Sequence, residues 1–109
     1  MTDIDYHLQN ELNLSAMSPV MQSTLCMILR ELSNNVIKRS QANQCQLRLF
    51  EKEGKIVVEI EDNGVGFEKI SGDELKSIRD RLLLVKGNVQ ILSLRKPTLI
   101  QAELGLKEN

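Results

Sequence analysis

The 109-residue chain carries no marked excess of charge of either sign: 14 Lys and Arg stand against 15 Asp and Glu, a formal net charge of −1. A surface that binds nucleic acid usually shows as a basic excess, so this balance argues against such a partner. Thiolate and imidazole metal ligands are nearly missing as well. Cys26 and Cys45 lie too far apart for a metal knuckle, and His7 is the sole histidine. The two cysteines read as reduced, buried small hydrophobes of a cytoplasmic protein. No apolar run approaches the roughly 20 residues that span a bilayer. Met1 is followed by Thr-Asp-Ile-Asp rather than by the basic and apolar regions of a secretory signal. The expectation is a soluble cytoplasmic protein without membrane contact. Repeats, linkers and low-complexity segments are also lacking.

What is present is an ordinary globular composition, 41% hydrophobic and 27% charged. That suits one domain over residues 1–109 with a real but modest core. Apolar positions recur loosely from Ile4 to Leu14, as in a broken edge strand. Ser18-Pro19 reads as an N-cap followed by proline at the first helical position, and the helix should run to about Arg39. The alternation of Cys45, Leu47 and Leu49, a turn at 52–54 and the β-branched run from Ile56 to Ile60 predict a hairpin. Leu75, Ile78, Leu82 and Val85 repeat at helical spacing, with Gly87 as the stop. Val89 to Leu94 and Leu99 to Leu104 close a second hairpin across Arg95-Lys96-Pro97. The order strand, helix, two strands, helix, two strands predicts an α+β, two-layer sandwich, one mixed sheet covered on one face by two helices.

Two stretches carry the chemistry. In the first helix, Glu31, Asn35 and Lys38 stack along one edge at spacings of four and three, beside an apolar stripe of Leu25, Ile28, Leu29, Leu32 and Val36. After the first hairpin, Asp62-Asn63-Gly64-Val65-Gly66 puts an acid, an amide and two glycines where backbone can approach a ligand closely. Taken alone, such a polar edge is more often a solvated helix face, and Asp-Asn-Gly is more often an ordinary turn than a site.

Together these stretches resemble the ATP-binding catalytic domain of sensor histidine kinases, in the GHKL superfamily with its Bergerat fold. The likeness is greatest to the subgroup that pairs with helix-turn-helix response regulators. ILRELSNNVIKRSQA resembles that subgroup's N box and DNGVGF its first glycine box. GDELKSIRDR from Gly72 resembles its second glycine box, with Arg79 and Arg81 as an Arg-x-Arg pair of surface or structural kind. Thr98 falls where the family has a Gly-Thr pair. The motifs occur in order over nearly the whole chain.

The resemblance implies residue roles. Asp62 would accept a hydrogen bond from the exocyclic amine of adenine, supported by Thr98, which discriminates against guanine. Asn35 would offer its amide oxygen to Mg²⁺, and Glu31 would position a water or the metal's hydration shell, or act as a weak base. Lys38 and Arg39 would face the phosphates, and Gly64, Gly66 and Gly72 would let backbone N–H groups approach the nucleotide. The implied partner is a phosphoacceptor histidine on a separate dimerisation domain, with a response regulator reached indirectly; His7 lacks the family's acceptor context. The domain by itself is expected to be monomeric and nearly inactive.

Three positions depart from the pattern. Arg39 replaces the usual His, Pro97 replaces the Gly before Thr98, and Glu74 stands where the second glycine box has its next Gly. A carboxylate about 4 Å from a phosphate would cost roughly 4 kcal/mol at an effective dielectric near 20. The segment between Phe67 and Gly72 is also short for a lid. Two alternatives follow: a degenerate interaction module without nucleotide turnover, and a free-standing serine kinase of the anti-sigma type.

Overall fold

The computed structural model describes residues 4–39, 42–65, 75–94 and 97–105, with 35–39 as helix backbone. Five strands and two α-helices follow the expected order: β1 (Asp5–Asn10), α1 (Pro19–Arg39), β2 (Gln44–Lys52), β3 (Lys55–Asp62), α2 (Lys76–Leu82), β4 (Asn88–Leu94) and β5 (Thr98–Gly105). The sheet order is β1-β2-β3-β5-β4. Among the described residues only β1 and β2 run parallel, joined by a strand–helix–strand crossover through α1; the other pairs are antiparallel.

Local chemistry accounts for each boundary. The Ser18 hydroxyl accepts the backbone N–H of Met21 at 3.1 Å, the capping bond expected three residues into a helix, with Pro19 at the first position. Glu53 and Gly54 both have positive φ, 53° and 77°, the pair of left-handed residues that closes a two-residue hairpin with the right twist. β1 is shorter than the periodicity suggested. It stops at Asn10, and a 3₁₀ turn at Leu14–Ala16 fills the interval before α1.

The core lies between the helices and one face of the sheet. Met21, Leu25, Ile28 and Leu32 of α1, with Leu75, Ile78, Leu82 and Val85 around α2, pack on Cys45, Leu49, Ile56, Val58, Ile60, Ile100, Ala102 and Leu104. Full burial of one such Leu or Ile contributes about 1.5–3 kcal/mol. The other face of the sheet carries half-buried polar side chains around a buried Val57. There Arg48 reaches Glu59 at 3.0 Å and Glu61 at 2.8 Å, and Gln101 donates to Glu59 at 2.9 Å. No helix among the described residues is long and apolar enough to cross a membrane.

Candidate functional site

Alternation along β3 places Ile56, Val58 and Ile60 on the core face, and the same alternation places Asp62 there too. A carboxylate thus ends a row of buried aliphatic residues, with 5% of its surface exposed. Burial pushes its pKa above the ordinary value, opposed in part by the hydrogen bond from the Gly64 N–H to Oδ1 at 2.9 Å. Burying a charge without a full set of partners is costly, so this position is poor core design and good ligand chemistry.

Its neighbours are set by register. Thr98 of β5 lies directly opposite Asp62, and Cys45 of β2 lies opposite it on the other side. Both flanking side chains are buried. The Thr98 hydroxyl donates to the Leu94 carbonyl at 3.2 Å, and its oxygen keeps acceptor capacity beside Asp62. The Cys45 thiol is pushed up to about 12 by burial and then by the charge of Asp62, so it is neutral at physiological pH. A cavity of about 210 Å³ opens at this end of the sheet, lined by Asp62, Asn63, Gln44, Cys45 and Pro97 together with His7, Gln46 and Glu61, and without Thr98. A larger one of about 360 Å³ lies beside Glu51 and Ile56, at the far end of the same hairpin. Its lining holds nothing of the Asp62 constellation.

Asn63 fixes the turn after β3. Its Oδ1 accepts the backbone N–H groups of Asn43 and Gln44 at 3.0 and 3.1 Å, and its Nδ2 donates to Asn43 Oδ1 at 2.6 Å. The start of β2 and the first glycine-box turn are therefore held as one piece.

Glu31 sits on α1 between the core positions Ile28 and Leu32 and is partly buried. Its Oε1 accepts from Arg81 Nε at 2.9 Å and from Ser77 Oγ at 3.0 Å. Asn35, Lys38 and Arg39 follow on the α1 backbone, with side chains outside the described residues, as are Gly66, Gly72 and Glu74 altogether. The structure thus joins Asp62, Gly64 and Thr98 at one strand end and ties Glu31 to α2. Sequence reasoning did not find the parts played by Cys45, Asn63, Ser77 and Arg81. For Cys45 and Asn63 the strand alternation and the Asp-Asn-Gly triplet were the available signals.

Residues 21–93 match the family model of histidine kinase-, DNA gyrase B- and HSP90-like ATPases. The chain is 31% identical over 91 residues to the sensor histidine kinase YvfT of Bacillus subtilis, covering 82% of this chain and 24% of that protein. To the sensor histidine kinase ComP of the same organism it is 33% identical over 76 residues, 64% of this chain and 10% of that one. It therefore spans less than a quarter of the length of either relative. Among solved structures, the blue-light activated histidine kinase of Erythrobacter litoralis EL346 superposes with a TM-score of 0.83 at 14% identity, over 97% of this chain and 36% of that chain. The histidine kinase AdeS of Acinetobacter baumannii gives 0.78 at 15% identity, over 98% and 56%. At these identities the structural likeness speaks for the fold.

Proposed function

Because the chain belongs to the family of histidine kinase-, DNA gyrase B- and HSP90-like ATPases, we propose that it is the Mg²⁺-ATP-binding catalytic domain of a two-component sensor histidine kinase. The observation that carries the reading is Asp62, a carboxylate buried on the core face opposite Thr98. There it would accept the exocyclic amine of adenine. Guanine would present a carbonyl to an acceptor and leave both unpaired. Gly64, without a side chain, lets the backbone lie close to the base.

The phosphate end would fall to α1. Asn35 follows Glu31 by about one turn on this helix. An amide oxygen, waters and nucleotide phosphates are the hard oxygen donors that Mg²⁺ takes. When bound, the ion would neutralise phosphate charge. Glu31 would orient a water at its edge, and Lys38 and Arg39 would face the phosphate oxygens. Gly66 and Gly72 would offer backbone N–H groups.

The chemistry is transfer of the γ-phosphoryl group to an imidazole nitrogen of a histidine on a helical dimerisation domain. The bond from the β–γ bridging oxygen to the γ-phosphorus breaks, a phosphorus–nitrogen bond forms, ADP leaves and the imidazole gives up its proton. Such transfer depends on positioning and charge neutralisation more than on covalent catalysis by the protein. A response regulator would receive the group next, and the domain works in the cytoplasm as a monomer.

Calorimetric titration with a non-hydrolysable ATP analogue, with and without Mg²⁺, tests this reading. Saturable binding strengthened by Mg²⁺ and lost in Asp62→Asn is the expected result. No heat up to millimolar nucleotide from folded protein would overturn it and favour an interaction module that keeps the sandwich without its ligand.

A further inference from the structure

The tie between Glu31 and α2 has more geometry than a surface ion pair needs. Ser77 and Arg81 stand four apart on α2, so both project from one face and converge on the same oxygen, Glu31 Oε1. Arg81 Nη1 also lies 3.5 Å from Met27 Sδ, one turn back on α1, so the guanidinium spans two turns of that helix. The rotation of each helix is fixed independently. Ile28 and Leu32 bracket Glu31 in the core, and Ile78 and Leu82 follow directly after Ser77 and Arg81. Oε1 of the carboxylate is therefore engaged from the α2 side. Side-chain exposure is 41% for Arg81 and 25% for Glu31, a range in which an ion pair contributes little to stability. An open groove beside Lys76, Ser77, Asp80 and Arg81 leaves the clamp next to solvent.

Resting on the function proposed above, the geometry points to Arg81 and Ser77 as positioning residues for the nucleotide's metal-bearing phosphates. By holding Oε1 of Glu31 they would leave Oε2 as the acceptor for water on a bound Mg²⁺. A carboxylate has acceptor capacity on both oxygens, so occupation of Oε1 fixes the direction of the other without consuming it. Glu31 thereby acts as an oriented acceptor and not as a free base. On this assignment Arg81 acts through Glu31, as outer-shell partners of metal ligands commonly do.

The test titrates the chain with the ATP analogue, with and without Mg²⁺, and follows thermal unfolding in parallel. In Arg81→Gln the Mg²⁺-strengthened affinity is expected to fall about tenfold, the low end for loss of an outer-shell partner, with the Mg²⁺-free affinity little changed. Arg81→Lys should recover part of the loss, and Ser77→Ala, which keeps the ion pair, should show a smaller change of the same kind. Exchange of the pair, Glu31→Arg with Arg81→Glu, should keep a native-like melting temperature and leave the Mg²⁺ effect missing. Parallel falls in both affinities, no change in either, or recovery of the Mg²⁺ effect in the exchanged pair would overturn the inference and reduce the clamp to a structural tie. A native chain that binds no nucleotide would sink the proposed function and this inference with it. Nucleotide binding in the native chain with an unaltered Mg²⁺ effect in Arg81→Gln would sink the inference alone.

Discussion

Thr98 stands directly opposite Asp62 in the β3–β5 ladder, and the two are the buried polar side chains of the sandwich among the described residues. Burial raises the Asp62 pKa from 3.8 in the folded state, so the folded chain holds this proton more tightly than the unfolded chain does. The stability linked to the protonated form is present below about 3.8 and is lost as pH rises from there through the folded value. At neutral pH the ionised carboxylate is therefore a cost. Asp62→Asn keeps an acceptor for the Gly64 N–H without that charge. Urea denaturation should show the variant at least as stable as the native chain at pH 7, with the gap closing toward pH 4. Nucleotide affinity should drop about tenfold or more, as for a lost hydrogen bond to a charged group. A variant clearly less stable at pH 7 would contradict the assignment of burial as the dominant influence.

Cys45 flanks Asp62 on the other side and shares its fate. With its thiol near 12, the reactive thiolate is only about one part in ten thousand at pH 8. Cys26 on α1, against the expectation that both cysteines are buried, points off the core and is exposed. Iodoacetamide at pH 8 should modify Cys26 and spare Cys45 until urea unfolds the chain, which peptide mass spectrometry would read directly. Equal rates of modification in the native state would mean that the Asp62 end of the sheet is open to solvent.

The elements were legible because each carries its own period. The alternation from Ile56 to Ile60 not only predicts β3 but also carries Asp62 onto the core face as the last residue of the strand. Leu25, Ile28 and Leu32 likewise name the buried stripe of α1. What sequence spacing cannot show is a contact between elements. Arg81 meets Glu31 across 50 residues and Asn63 meets Asn43 across 20. Neither pair has a local period, so each exists only once the sheet and helices have packed. β1 is a related case: its six side chains are all exposed, and its parallel pairing with β2 comes from the crossover rather than from a hydrophobic pattern.

Gly87 was expected to end the second helical segment, and the structure gives it a more specific reason to be glycine. The left-handed residue is Lys86, with φ of 54°. The Gly87 N–H reaches back to the Leu82 carbonyl at 2.8 Å and the Lys86 N–H to Leu83, the paired bonds of a Schellman ending. A Cβ on residue 87 would sit 2.2 Å from the Glu103 carbonyl oxygen in β5. Gly87→Ala must therefore push the helix end off the sheet. A loss of about 2–3 kcal/mol is expected in chemical denaturation, at the upper end for overpacking. A loss under about 0.5 kcal/mol, the usual range for surface changes, would show that this packing is loose.

Asn63 offers the sharpest separation of backbone organisation from ligand chemistry. Its side chain takes two backbone N–H groups and gives one hydrogen bond to Asn43, while its own N–H reaches the Gln44 carbonyl at 3.3 Å. Asn63→Ala removes the three side-chain bonds at a position open to water, so the amides of Asn43 and Gln44 can be resolvated, and the expected cost is about 1–2 kcal/mol. Asn63→Asp keeps the two-amide acceptor and loses only the donor to Asn43, so it should fall between Asn63→Ala and the native chain. Amide hydrogen exchange supplies the local readout. Protection at Asn43 and Gln44 should fall strongly in Asn63→Ala and weakly in Asn63→Asp, with β5 amides unaffected. Because Asn63 sits between Asp62 and Gly64, Asn63→Ala should also weaken nucleotide binding under conditions where it is fully folded. Unchanged exchange at Asn43 and Gln44 would show that the β2 entry is held by the ladder alone. The turn's effect on the nucleotide would then have to come through Gly64 and not through this clamp.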